Sequence, residues 1–241
     1  MRIGIITAMA EETLPILAKL GNVVAEDTVS GVALKQIETE DHTVYLATSG
    51  IGEIRAALAV QLMADLFDIE TVLNFGFVGS LNPALATGEL VLVEKAVHHQ
   101  FDISAVDNIP LGCYDDKETP YFAADRKILD NVLSRLPKRL KTVTAASGDK
   151  FVADSVTKKY LRETFSADIC EMEIAGICLA AERNNIPVFS MKVISDGADE
   201  GATESFSEVL EKGLSKYEAM LPYVLTALAE NKPNSMPPAK V

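Results

Sequence analysis

Three places in the chain put a carboxylate where an apolar segment ends or a helix begins. Glu12 follows the first apolar run, Glu173 opens an amphipathic segment, and Asp196 ends a later apolar run. Ligands of α/β proteins gather at the carboxyl ends of the strands, so these side chains are candidates for contact with a small ligand. Three carboxylates in different environments can cleave a glycosidic bond, because one protonates the leaving group, one activates water and one holds the sugar hydroxyls.

Each of these carboxylates also has a purely structural explanation. Acidic residues in the first turn of a helix stabilise it by about 0.3–1 kcal/mol through the helix dipole, which would account for Glu171 and Glu173. Aspartate is common in turns beside glycine, which would account for Asp196 and Asp199 next to Gly197. The combination of three acidic sites at three sheet-edge positions is what favours catalysis.

Apolar runs and amphipathic segments alternate along the chain, which is typical of an α/β domain. Strands are predicted near 2–7, 23–29, 33–39, 43–48, 71–75, 89–97, 141–146 and 188–194. Helices are predicted to follow the first strand and to lie near 54–66, 125–136, 171–184 and 205–229. We expect a central mixed or mostly parallel sheet with helices on both sides. The longest loop, 107–122, is a candidate lid or dimer element.

Composition and charge exclude several classes of protein. A chain of 241 residues suffices for one α/β domain, which we expect over 1–231, with a disordered tail over 232–241. The net charge of −13 disfavours binding to nucleic acid. The apolar runs are shorter than the ~18 residues of a membrane span, and Glu11 and Glu12 leave no room for a signal peptide. We therefore expect a cytoplasmic protein that does not enter a membrane.

The sequence shows no motif for a metal or an organic cofactor. Cys113, Cys170 and Cys178 fit no paired metal spacing, so reduced thiols are expected. The segment Ser49-Gly50-Ile51-Gly52 resembles the start of a dinucleotide fingerprint, but Arg55 stands at its third glycine position and it is not the first βα turn. We expect no cofactor.

Five segments, taken together and in order, resemble the 5′-methylthioadenosine/S-adenosylhomocysteine nucleosidases of the purine nucleoside phosphorylase superfamily. They are GIITAMAEE at 4–12, SGIG at 49–52, SGDKFV at 147–152, EME at 171–173 and ISDGAD at 194–199. The resemblance implies a nucleoside phosphorylase-like, three-layer α/β/α sandwich with a central mixed sheet. It also implies hydrolysis of the N-glycosidic bond of the nucleoside, with release of adenine and the 5-thio-ribose. The family implies a homodimer whose partner lends residues to the 5′ pocket.

The resemblance further implies roles for individual residues. The glutamate matching Glu12 activates the hydrolytic water, and the glutamate matching Glu173 binds the ribose hydroxyls. The aspartate matching Asp196 donates a proton toward N7 of adenine and is oriented by the serine matching Ser195. The other residues expected around the substrate are Met9, Ile51, Phe77, Ile103, Val106, Phe151, Val152, Met172 and Phe206.

Two departures from the family bear on the pocket, and the local charge bears on the reaction. Phe77 is bulky where the family usually has a small or hydroxyl residue, and Lys192 stands where it often has arginine, which binds carboxylates in a bidentate manner. A phosphorylase needs cations near the first and third strand turns, whereas Glu11 and Glu12 occupy the first. Hydrolysis is favoured. The alternatives are a futalosine-type hydrolase, a phosphorylase or a non-catalytic nucleoside-binding protein of the same fold.

Overall fold

A ten-stranded mixed sheet forms the centre of the protein. The structure is a computed structural model that describes residues 1–230, apart from several side chains between 205 and 214. The strands are β1 Arg2–Thr7, β2 Val23–Val29, β3 Val32–Glu38, β4 Thr43–Thr48, β5 Thr71–Ser80, β6 Leu90–His98, β7 Tyr121–Ala123, β8 Lys141–Ser147, β9 Ile169–Glu171 and β10 Val188–Asp196. The described residues also form the helices α1 Ala10–Leu20, α2 Glu53–Phe67, α3 Arg126–Arg135, α4 Ser155–Phe165, α5 Ile174–Arg183 and α6 Ala202–Ala229.

Strand β5 organises the sheet because it pairs with three neighbours. It runs parallel to β1 at its start, antiparallel to β9 at its end and parallel to β10 along most of its length. From β10 the pairing continues through β6 and β8 to β9 and so returns to β5, which closes a ring of five strands. Beyond β1, the strands β4, β3 and β2 extend the sheet to an open edge. All ten residues of β5 are buried, as expected for a strand covered on both faces.

Helices cover both faces of this sheet. Helices α2 and α5 pack against each other on one face, where Ala56, Ala59 and Ile177 belong to one buried cluster. Helices α1, α3 and α6 cover the other face around a second cluster that includes Tyr217 and Leu221. The arrangement is the three-layer α/β/α sandwich with a mixed sheet, so the predicted fold class is confirmed.

Most predicted elements are present within a few residues of their predicted limits. The turn at Ser30 and Gly31 joins β2 to β3 with φ angles of 51° and 82°. Positive φ at both central residues is what a two-residue type I′ hairpin turn requires. Helix α4 was not predicted, although Asp154 caps its start by accepting a hydrogen bond from the N–H of Thr157. The predicted loop 107–122 is anchored to the sheet, since Cys113 is buried and β7 begins within it and pairs with β6.

Ile54, Leu58, Leu62 and Leu66 form the apolar stripe by which the sequence indicates α2, and three of these four side chains are exposed. Ile54 is 80% exposed and Leu66 is 51% exposed, whereas the buried face of this helix consists of smaller residues such as Ala56 and Ala59. Small residues allow α2 to approach α5 closely. Most of the stripe therefore lies outside the core of this chain and presents an apolar surface at its exterior.

The domain limits remain a prediction, because the predicted tail 232–241 lies outside the described residues. Over the part of the chain that is described, no helix combines the length and the apolar character that crossing a membrane requires.

Candidate active site

One cavity opens where several strand ends meet. Its lining combines residues that follow β1, β4 and β8 with residues at the ends of β5, β9 and β10. The residues expected around a ligand that line it are Met9, Glu12, Ile51, Phe77, Phe151, Val152, Met172, Glu173, Ser195 and Asp196. Further lining residues are Ala8, Val78, Gly79, Lys150, Cys170 and Glu171. Closure of the strand ring thus brings the carboxyl groups of Glu12, Glu173 and Asp196, which lie far apart in the sequence, to one cavity.

Two of the expected residues lie outside this lining, and the side chain of a third is not described. Ile103 is half-buried but does not line the cavity, because the loop that follows β6 carries it elsewhere. Val106, in the same loop, is 85% exposed. Phe206 belongs to α6, but its side chain lies outside the described residues. The expectation that Ile103 lies near the substrate remains a prediction, since its side chain does not line the cavity of its own chain.

Backbone N–H groups hold the carboxylate of Glu12 in place. Oε2 accepts hydrogen bonds from the N–H groups of Ala8 at 2.9 Å and Met9 at 3.0 Å, and Oε1 accepts one from Phe77 at 3.2 Å. The bond from Met9 is also the capping-box bond at the start of α1. A carboxylate offers about four acceptor positions, so about one remains for a ligand or water. Burial raises the pKa of Glu12, although Lys192 and the N–H groups oppose the shift.

A bulge at the end of β10 orients Asp196. The pairing with β5 shifts register between Ile194 and Asp196, which turns the last side chains of the strand toward the cavity. Ser195 Oγ lies 2.6 Å from Asp196 Oδ2, and the N–H of Ala198 donates to Oδ1 at 2.8 Å. Ala198 has a φ of 50°, a left-handed conformation that costs alanine about 1–2 kcal/mol. Burial raises the pKa of Asp196.

Glu173 stands at the N-terminal end of α5 with one oxygen bound and one available. Its Oε1 accepts a hydrogen bond from the N–H of Gly52 at 3.0 Å. Among the described residues, no group donates a hydrogen bond to its Oε2. Burial and the nearby carboxylate of Glu171 raise the pKa of Glu173 to about 7. The oxygen Oε2 can therefore receive a hydrogen bond from a ligand in the cavity.

Lys192 places a positive charge among these acids. Its Nζ lies 3.2 Å from Glu171 Oε2, and both side chains are 1% exposed. The lysine charge lowers the pKa of both Glu12 and Glu173 and so opposes the effect of burial. Gly76 makes room for the side chains of Lys192 and Glu12, because a Cβ at position 76 would lie 3.3 Å from both Lys192 Nζ and Glu12 Oε1. Lysine supplies the charge at this position as a compact ammonium, without the planar fork of arginine.

The bulk of Phe77 is accommodated by α6. Its ring meets that of Tyr217 edge-on, with the ring centroids 5.8 Å apart, and only 9% of the residue is exposed. A Cβ at Gly213 in α6 would collide with Cε1 of the Phe77 ring. Phe77 therefore fits because position 213 carries no side chain, and it presents little surface to the cavity.

A buried polar group behind the cavity was not anticipated from the sequence. Ser147 Oγ lies 2.5 Å from Glu53 Oε1 and also forms a hydrogen bond with Glu171 Oε1. Glu53 follows the SGIG segment as the first residue of α2 and resembles an ordinary helix-starting glutamate. The one sequence signal for this group was Lys192, a cation within an apolar strand that needed a buried partner.

Comparison with known proteins gives consistent relatives. The phosphorylase superfamily matches residues 2–226. An aminodeoxyfutalosine nucleosidase of Campylobacter jejuni is 31% identical over 86% of this chain and 91% of its own length. A futalosine hydrolase mutant of Helicobacter pylori is similar in structure, with a TM-score of 0.89 and 29% identity over 93% of this chain and 98% of that chain. A Streptococcus pneumoniae 5′-methylthioadenosine/S-adenosylhomocysteine nucleosidase with the transition-state inhibitor MT-ImmA has a TM-score of 0.88 and 29% identity over 95% of this chain and 100% of that chain.

Proposed function

The chain belongs to the phosphorylase superfamily as an enzyme of the nucleosidase type, and we propose that it hydrolyses a 5′-modified adenine nucleoside. The proposed substrates are 5′-methylthioadenosine and S-adenosylhomocysteine, and the products are adenine and the 5-thio-ribose. The observation that carries this proposal is that Glu12, Glu173 and Asp196 converge on one cavity. The nucleosidase relative with a bound transition-state inhibitor supports a small-molecule substrate.

The three carboxyl groups suit the three tasks of the reaction. Glu12 is the general base, because it is buried, its pKa is raised, and about one acceptor position is left for the proton of an attacking water. Glu173 holds the ribose hydroxyls through Oε2. As the bond to the base breaks, the sugar gains positive charge, which nearby carboxylates stabilise in a site of low dielectric.

Asp196 is the general acid that protonates the leaving base. A raised pKa favours the protonated form that this task requires. Ser195 Oγ lies between Asp196 Oδ2 at 2.6 Å and the carbonyl oxygen of Val78 at 3.1 Å. A serine hydroxyl can accept from a protonated Asp196 while donating to Val78, and it can donate to Asp196 once the proton has left. Ser195 thus serves both protonation states of Asp196.

The charges around the cavity favour water over phosphate as the nucleophile. A phosphate dianion binds to arginine or lysine side chains, and Glu12 would repel it from the position next to the sugar. Lys192 is already paired with Glu171, and Lys150 lies at the mouth of the cavity, where it contacts Asp154 at 3.4 Å. Hydrolysis is therefore the proposed reaction.

A second candidate substrate is aminodeoxyfutalosine. The relatives that carry this activity in their names are 31% to 33% identical to the chain, whereas a 5′-methylthioadenosine/S-adenosylhomocysteine nucleosidase of Tolumonas auensis is 27% identical. The reacting groups proposed above are independent of the 5′ substituent. The two candidates therefore differ in what occupies the 5′ side of the cavity.

The proposed reaction is tested by incubating the purified protein with a panel of nucleosides and measuring the released base by liquid chromatography. We expect adenine from 5′-methylthioadenosine and S-adenosylhomocysteine at a rate that does not depend on added phosphate. Release only from aminodeoxyfutalosine would select the second candidate. A rate that rises with phosphate would identify a phosphorylase, and no release from any member would overturn the proposal.

Asp196→Asn should lower kcat at least about a hundredfold, because a carboxamide cannot transfer the proton. The measurement is adenine release, with circular dichroism to check the fold. Asp199→Asn is the matched control, since Asp199 pairs with Lys158 at 3.3 Å and does not line the cavity. The role of Asp196 is disproved if the two variants retain similar rates.

Glu12→Gln should lower kcat by about a hundredfold or more while a non-hydrolysable nucleoside analogue still binds. The glutamine oxygen can keep the bonds from Ala8 and Met9, but it cannot take a proton from water. Calorimetric titration of the analogue separates binding from turnover. Glu11→Gln, one residue earlier and exposed, should leave both unchanged. Retained turnover with lost binding would instead make Glu12 a binding residue.

We also infer that the protein is a homodimer. Exposed apolar side chains, Ile54, Leu58 and Leu66 on α2, form a surface close to the residues Ile51 and Phe151 at the cavity mouth, which are themselves 49% and 47% exposed. A second copy covering this surface would remove it from water. The family resemblance implies that a partner lends residues to the 5′ pocket, and Ile103 and Val106, outside the cavity of their own chain, are our candidates. Sedimentation equilibrium should report twice the chain mass, and a monomer at micromolar concentration would contradict the inference.

A further inference from the structure

The hydroxyl of Ser147 lies between two buried carboxyl groups. Its Oγ is 2.5 Å from Glu53 Oε1 and forms a second short hydrogen bond with Glu171 Oε1. The N–H of Ala175 donates to the same oxygen at 3.1 Å. Ser147 is fully buried, and Glu53 and Glu171 are 5% and 6% exposed. Three polar groups therefore meet one hydroxyl out of contact with bulk water.

Counting protons shows that one of the two carboxyl groups must be protonated. A serine hydroxyl has one proton to donate and two lone pairs to accept with. The N–H of Ala175 uses one lone pair, and the hydroxyl proton can serve only one carboxylate. If both Glu53 and Glu171 were ionised, one of the two carboxylate oxygens would face the Ser147 oxygen with no proton between them. A proton on one carboxyl group turns that contact into a hydrogen bond.

The remaining bonds identify Glu53 as the protonated acid. Glu171 accepts from the N–H groups of Glu173 and Ile174 and from the ammonium of Lys192, a set of donors that stabilises a carboxylate. Glu53 Oε2 accepts a short hydrogen bond from the N–H of Gly176. That pattern is the one a neutral acid makes, with one oxygen accepting and the other, Oε1, donating to Ser147.

The charges that face Glu53 support the same assignment. Burial disfavours a negative charge on Glu53, and Glu171 at the end of β9 and Asp149 after β8 disfavour it further, so that its pKa is raised to about 8. Tyr114 from the loop before β7 and Cys178 of α5 face it as neutral groups whose own pKa values are raised, chiefly by burial. Lys192 compensates Glu171 rather than Glu53.

We propose that Glu53 is a positioning residue of this enzyme: as a neutral acid it donates to Ser147, which frees the Ser147 proton for Glu171. This inference rests on the proposed hydrolysis, because the element held in place is the start of α5. There Glu171 Oε2 accepts from the N–H of Glu173 at 3.1 Å. The chain of hydrogen bonds thus runs from Glu53 through Ser147 and Glu171 to the residue that binds the ribose.

Alkaline pH should break this chain of hydrogen bonds. When Glu53 loses its proton, two carboxylates share one hydroxyl, and their repulsion pushes Glu171 away from Ser147. The group is neutral in the folded protein well above the pH at which an ordinary glutamate ionises. The arrangement is therefore complete below about pH 7 and is lost as the pH rises through about 8. Binding of ribose by Glu173 should weaken over the same interval.

The direct test is infrared spectroscopy of the ligand-free protein. The wild type should show the C=O stretch of a buried carboxylic acid at pH 6.5 that disappears as the pH rises through about 8, and Glu53→Gln should lack that band. Glu163→Gln, an exposed glutamate of α4, should retain it. A wild type without a carboxylic acid band assigned to Glu53 at pH 6.5 would overturn the proposal.

The second test compares pH profiles of kcat/KM for Glu53→Gln and Glu53→Ala. Glutamine can donate to Ser147 and accept from Gly176 without ionising, so near pH 7 we expect kcat/KM within about threefold of the wild type. Its alkaline loss should begin at higher pH than in the wild type. Glu53→Ala should lose about tenfold at all pH values, chiefly through KM, because Ser147 and Gly176 lose their partner.

The two tests separate the possible failures. An alkaline limb that is the same in the wild type and in Glu53→Gln overturns the positioning role, as does a Glu53→Ala variant with unchanged KM. The kinetic arm uses whichever nucleoside of the panel the wild type hydrolyses. If it hydrolyses none, the proposed function fails, while the infrared band still decides whether Glu53 carries the proton.

Discussion

The buried ion pair between Lys192 and Glu171 governs the protonation of the acids around the cavity. One ammonium balances one carboxylate, and the remaining acids, Glu12, Glu53 and Glu173, are buried, which raises the pKa of each. Ionising all of them would be costly at low dielectric, so Glu53 keeps a proton that an exposed glutamate would release at neutral pH. Proton storage and proton transfer thus arise from the same shortage of positive charge.

The closed ring of strands makes this concentration of charge possible. In an open sheet the ends of β5, β8, β9 and β10 would lie along a line. Neighbouring strands are about 4.8 Å apart, so strands that are not neighbours would end too far from one another to share a ligand. Return of the sheet through β9 to β5 bends that line into a circle, so that Glu171 and Asp196 line a common cavity. Helix α5 then starts directly beside this space, which lets backbone N–H groups share the charge of Glu171.

Local patterns in the sequence predicted most of the fold, and motifs predicted most of the candidate site. The alternation of apolar runs and amphipathic segments identified the sandwich, because burial on two faces leaves a strong signal in strands such as β1 and β5. Ring closure left no comparable signal, since β9 spans only Ile169–Glu171 and its pairing depends on distant segments. Glu53 was missed for a similar reason: its partners Ser147 and Glu171 lie about a hundred residues away or more.

The position of Ile103 fits the proposed dimer, because its half-buried side chain lies outside the cavity of its own chain. The exposed face of α2 gives the matching indication, because Ile54 and Leu58 have the pattern of a core stripe and yet lie at the exterior.

The contact between Phe77 and Gly213 has a consequence for how this protein can change during evolution. While position 77 is aromatic, position 213 cannot gain even a methyl group, because the new Cβ would overlap the ring. The reverse order is open: a smaller side chain at 77 would first leave a gap, and a larger one at 213 could then fill it. Position 77 must therefore change before position 213 can, and this order limits how the pocket can be remodelled.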